Sequence, residues 1–65
     1  MKKITFKQHL DASNFTSYLV SQNKDHEQIL YDYDGGAVVS YELHGVIRGN
    51  LQDRIDARIK EGQIL

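Results

Sequence analysis

The sequence predicts a small two-layer α+β domain, an antiparallel β-hairpin or three-stranded sheet packed by a C-terminal helix, with a short N-terminal helix. Three observations carry that expectation. Residues 27–44 alternate apolar and polar side chains around an Asp34-Gly35-Gly36 turn. Leu51, Ile55 and Ile59 recur every fourth residue, which puts them on one face of a helix. The chain has 65 residues and no proline, which fits one domain over 1–65 with short connections.

Thr5 followed by Gln8 has the spacing of a capping box, and Phe6 and Leu10 would then share a helix face. These place the short N-terminal helix over Thr5–Asp11, although Lys2, Lys3 and Ile4 could equally begin a strand. Asp11-Ala12-Ser13-Asn14 is polar and turn-prone. A single helix running through it would set Phe15 about opposite Phe6 at 100° per residue, so the element is broken there. Phe15 to Ser21 fits either a strand, from its aromatic and β-branched content, or one helical face; the strand is preferred.

Hydrophobic pattern sets the hairpin register. A three-residue loop pairs Tyr33 with Ala37, Tyr31 with Val39 and Ile29 with Tyr41. It gathers Ile29, Tyr31, Tyr33, Ala37, Val39, Tyr41 and Leu43 on one face, and a slip by one would send that set to water. Gly36 is then expected in the left-handed region. Gly45 and Gly49 bracket Val46-Ile47-Arg48, a short connection or strand end. Asn50 caps the last helix with Asp53 in its first turn, Asp56 and Lys60 stand in the favourable i, i+4 order, and Gly62 ends the helix as a left-handed cap. Ile64 and Leu65 are expected to pack back or against another chain.

Composition narrows the function classes. There is no cysteine, hence no disulfide and no thiolate metal site. A core this small supplies at most ~3–5 kcal/mol, which favours a partner chain, most simply a two-fold homodimer. The net charge of −1 lacks the basic surplus of a nucleic-acid binder. Lys7, Gln8, His9 and Asp11 interrupt any signal-peptide core, and no apolar run approaches a membrane span, so the cytoplasm is expected. Asn14-Phe15-Thr16 matches a glycosylation sequon by chance.

His9, His26 and His44 invite a metal or acid–base role, but none has metal-ligand spacing on a helix. Glu42 and His44 would project from the same side of a strand, the one local pair with ligand-like geometry; solvated surface groups are the simpler reading. Asp32-Tyr33-Asp34-Gly35-Gly36 fails the calcium-loop pattern, since its sixth and twelfth positions are Ala37 and Leu43. No catalytic, metal or cofactor site is therefore expected, and no small-molecule substrate. The basic residues Lys2, Lys3, Lys7, Arg48, Arg54 and Arg58 form the candidate nucleic-acid surface, with Arg54 and Arg58 on one helix face. Leu30 and Val38 stand on the far side of the hairpin among Asp32, Ser40 and Glu42, an apolar centre with a polar rim. With Tyr18 and Val20 as a third strand, and Ile64 and Leu65, they form the candidate protein-binding set.

The Asp-Gly hairpin, the Tyr41-Glu42-x-His44 stretch and the helix start Gly49-Asn50-x-x-Asp53-x-Ile55 resemble small dimeric phage proteins that inhibit uracil-DNA glycosylase. The resemblance covers only the second half of the chain. The hairpin spacing differs, and the near-neutral charge departs from an acidic DNA mimic. It illustrates the expected function: a non-enzymatic adaptor or inhibitor, of phage or mobile-element type, that binds another protein as a homodimer. The alternative is a small nucleic-acid-binding regulator using the basic N-terminus and the C-terminal helix.

Overall fold

The computed structural model describes residues 1–23, 27–45, 47 and 49–62. His26, Val46, Arg48, Ile64 and Leu65, to which the sequence assigned possible roles, lie outside the described residues. The element order is β1 (Lys2–Thr5), α1 (His9–Gln22), β2 (Glu27–Tyr33), β3 (Val38–Gly45) and α2 (Leu51–Gly62). The strands form one antiparallel sheet in the order β1-β3-β2. Both neighbours of β3 run opposite to it, so β1 and β2 run in the same direction with β3 between them.

The N-terminal helix exists, but it starts later and runs longer than the sequence suggested. Lys2–Thr5 is a strand, and Gln8 is the N-cap with extended backbone and no side-chain capping bond, so no capping box forms. Asp11–Asn14 lies inside the helix. The objection to that helix was that Phe6 and Phe15 would face opposite ways. It fails because Phe6 precedes the helix and reaches the core from the end of β1. Both rings are buried, with centroids 5.1 Å apart. Leu10, expected beside Phe6, is 65% exposed. Phe15–Ser21 is helix and not strand: Ala12, Phe15 and Leu19 make the buried stripe at helical spacing. The third strand is therefore β1, and Tyr18 and Val20 belong to α1.

The hairpin keeps the predicted face with a different register. Tyr33 pairs with Val39, Tyr31 with Tyr41 and Ile29 with Leu43, two residues further along β3 than expected. A shift of two leaves every side chain on its original face. The longer loop is held by Asp34, whose Oδ1 accepts from the Gly36 N–H at 2.7 Å and the Val38 N–H at 3.3 Å. Gly35, with φ 81°, takes the left-handed position expected of Gly36. Tyr31 shares the core face but lies on an edge strand and stays 40% exposed.

Both helices cover the same sheet face. Ile4, Phe6, Phe15, Leu19, Ile29, Val39, Tyr41, Leu51, Ile55 and Ile59 are buried between the layers, so the predicted stripe of α2 is borne out. At the far end of α2, Gly62 is helical and buried and is not a left-handed cap. Its carbonyl accepts from the Lys7 N–H at 2.9 Å, which ties α2 to the link between β1 and α1. Asp56 does not serve Lys60: it accepts from Gln52 Nε2 at 2.9 Å and lies 3.9 Å from Lys2 Nζ.

Candidate functional site

In a pleated sheet with one face buried, the residues between the core positions must point the other way. On β1 these are Lys3 and Thr5, on β2 Gln28, Leu30 and Asp32, and on β3 Val38, Ser40, Glu42 and His44. The register sets them in rows across the sheet: Thr5 beside Val38, then Lys3, Ser40 and Asp32, then Glu42 beside Leu30, then His44 beside Gln28. Neither helix covers this face. Leu30, on the edge strand β2, is 45% exposed, Val38 and Ser40 are half-buried, and Lys3, Thr5, Asp32, Glu42 and His44 are exposed. Leu30 and Val38 do share this face, but Leu30 stands on the edge strand β2 and Val38 at the start of β3, so the middle of the face carries Ser40 and Glu42 and not an apolar centre. Lys3 and Thr5 join them; the helical reading had hidden Thr5, and Lys3 belongs to the strand that the sequence left open.

Glu42 and His44 do project from the same side of β3, with His44 Nε2 2.9 Å from Glu42 Oε2. The hydrogen bond from His44 first, and then its charge, hold the Glu42 carboxyl below the ordinary glutamate value. Among the described residues no third histidine or carboxylate converges on the pair to make a metal-binding cluster. Glu42 borders a shallow cleft beside β1 that His44 does not line. A cleft of about 120 Å³ lies elsewhere, between the helices, with Phe6, Phe15 and Gly62 in its wall beside Asp11, Arg58 and Glu61. The shallow cleft beside β1 is also lined by Lys2, Tyr41, Gln52 and Asp56. There Tyr41 Oη accepts from Gln52 Nε2 at 3.1 Å.

The other candidates scatter. Tyr18 is half-buried under Arg58, whose guanidinium carbon sits 4.6 Å from the ring centroid. Val20 is 51% exposed on α1, on the opposite layer from Leu30 and Val38. Of the basic set, Lys2 turns to Asp56 on the helical side, Lys3 lies on the uncovered sheet face and Arg58 stacks on Tyr18. Lys7 follows β1, and Arg54 is exposed on α2. No single surface gathers these residues.

One residue unmarked by the sequence reading shapes the sheet edge. The Asn23 carboxamide, just past α1, accepts from the Ile29 N–H at 2.5 Å and donates to the Ile29 carbonyl at 3.2 Å. It occupies both outward-pointing backbone groups of Ile29, as a neighbouring strand would. An asparagine at a helix end is a weak signal, because many such residues only face water.

Among the described residues no helix is long and apolar enough to cross a membrane. Compared with known proteins, the chain matches no family model, no curated protein and no solved structure.

Proposed function

We propose that this chain is a small protein-interaction module, without catalytic activity, that binds another protein through the uncovered sheet face. One observation carries the reading. A three-stranded sheet with two helices on one side leaves the other side bare, with Leu30 and Val38 exposed or half-buried among Lys3, Ser40, Asp32 and Glu42. Such a face gives partners apolar contact at Leu30 and Val38 and charge selectivity from the side chains around them. The Glu42–His44 pair, joined by no third histidine or carboxylate among the described residues, favours binding over chemistry, which needs a third positioned group. Cysteine-free composition suits an adaptor or inhibitor working in the cytoplasm. A phage or mobile-element origin rests on the sequence resemblance alone.

The test is a matched affinity capture with the wild-type chain and the Leu30→Lys/Val38→Lys double variant as baits. A protein retained by the first, lost with the second and rebound as a purified component supports the reading. Equal retention by both baits sinks it.

A further inference from the structure

We propose that the uncovered face binds a second copy of this chain. The two copies are related by a two-fold axis parallel to β3 that sets Lys3 of each over Asp32 of the other. This rests on the reading of that face as a protein-binding surface and names its occupant.

Lys3 and Asp32 share one row of the sheet, on either side of Ser40. Two strand spacings, about 10 Å, separate them, so they do not meet within one chain. When two copies lie face to face, a two-fold axis along the central strand exchanges left and right but keeps position along the strands. It lays β1 of one copy over β2 of the other. Lys3 then falls over Asp32 twice, and Ser40 and Val38 meet their own copies at the centre. An axis across the strands would instead put Lys3 over Lys3 and Asp32 over Asp32. Charge therefore selects the first arrangement, and isologous pairing of this kind is how two-fold dimers close. The usual offset of about 30° between packed sheets is accommodated when the axis bisects the two strand directions.

One row works against association: Glu42 lies near the axis and approaches its own copy, with His44 Nε2 2.9 Å from its Oε2. The face is also small. Three strands at about 4.8 Å and some seven residues at about 3.3 Å span roughly 15 by 25 Å. That is well short of the ~800 Å² per partner of a standard stable interface. The expected dimer is weak, with a dissociation constant of roughly micromolar or above.

Sedimentation equilibrium on the full chain tests this, with Lys3→Asp, Asp32→Lys and their equimolar mixture beside the wild type. The wild type should dimerise, and each single reversal should weaken association at least about tenfold, since each creates two like-charge pairs. The mixture should recover near-wild-type association as a heterodimer, in which both pairs are opposite again. Milder Lys3→Gln and Asp32→Asn variants, checked by circular dichroism, keep the test valid if a reversal perturbs folding: each should flatten the salt dependence of association. A wild type that stays monomeric at millimolar concentration overturns the proposal. So does a dimer indifferent to the substitutions, or a mixture that fails to recover. A monomeric wild type whose capture of a different protein is lost on Leu30→Lys/Val38→Lys overturns self-association alone and leaves the reading of the face standing.

Discussion

An alanine at position 62 would be favoured by helix propensity, by up to about 1 kcal/mol over glycine. Packing opposes it: a Cβ there would stand 2.9 Å from Phe6 Cδ1 and 3.1 Å from Asp11 Cβ. Phe6 is fully buried and cannot swing away. Overpacking of this kind costs about 1–3 kcal/mol, so Gly62→Ala should lower the urea midpoint despite the better helix former. The sequence shows a glycine near a helix end, where a left-handed cap is the ordinary reason; only the position of Phe6 reveals the steric one. Glu42 gives the second residue-scale expectation. With its carboxyl held below the ordinary value by His44, the stabilisation from the pair is present above the ordinary carboxylate range. It is lost as the pH falls through the lowered Glu42 value. A carboxyl-detected NMR titration should find a depressed midpoint for Glu42, and His44→Ala should raise it toward normal. That these two side chains share a strand face was legible from their i, i+2 spacing.

Elements with a strict period were read correctly, and elements whose period depends on a neighbour were not. The alternation in β2 and β3 and the four-residue repeat in α2 each assign a buried face without outside information. The hairpin register was off by two because the loop is shaped by Asp34 and Gly35, a local contest between turn geometries that leaves the apolar pattern unchanged. α1 was split because Phe6 was counted as helical; once it ends a strand, Phe15 and Leu19 face the same core. Lys3-Ile4-Thr5-Phe6 does alternate, but four residues are too few to outweigh a capping-box spacing. The clamp on Ile29 yields the prediction at this scale. Asn23→Ala should speed exchange of the Ile29 amide proton severalfold and cost about 1 kcal/mol, the usual worth of a hydrogen bond that water can partly replace. Unchanged Ile29 exchange would mean that the carboxamide contact is absent in solution.

For the molecule as a whole, the division of labour is between a filled side and a bare one. On the filled side, Phe15 sits between Phe6 and Tyr41, with ring centroids 5.1 and 5.9 Å away. Phe15→Ala should cost about 3–5 kcal/mol, as much as a core this small supplies in total. The variant should lose its far-ultraviolet helical signal and its dispersed amide spectrum at 25 °C. On the bare side, Leu30→Lys should leave stability within about 0.5 kcal/mol, the usual range for exposed positions, so an effect on binding can be separated from one on folding. The two-layer class was legible because each element carries one apolar side. The identity of the exposed face was only half legible, because its rim includes β1. The bond from the Lys7 amide to the Gly62 carbonyl has a further consequence, for the order of events during synthesis. β1 leaves the ribosome first, yet its partner strand begins at Val38 and the residue that clasps its far end is number 62. The first strand made is thus the last to be fastened. At roughly 5–20 residues per second the nascent chain holds it unpaired for some seconds. Once β3 has followed, its edge stays open to any other extended segment until β1 pairs with it.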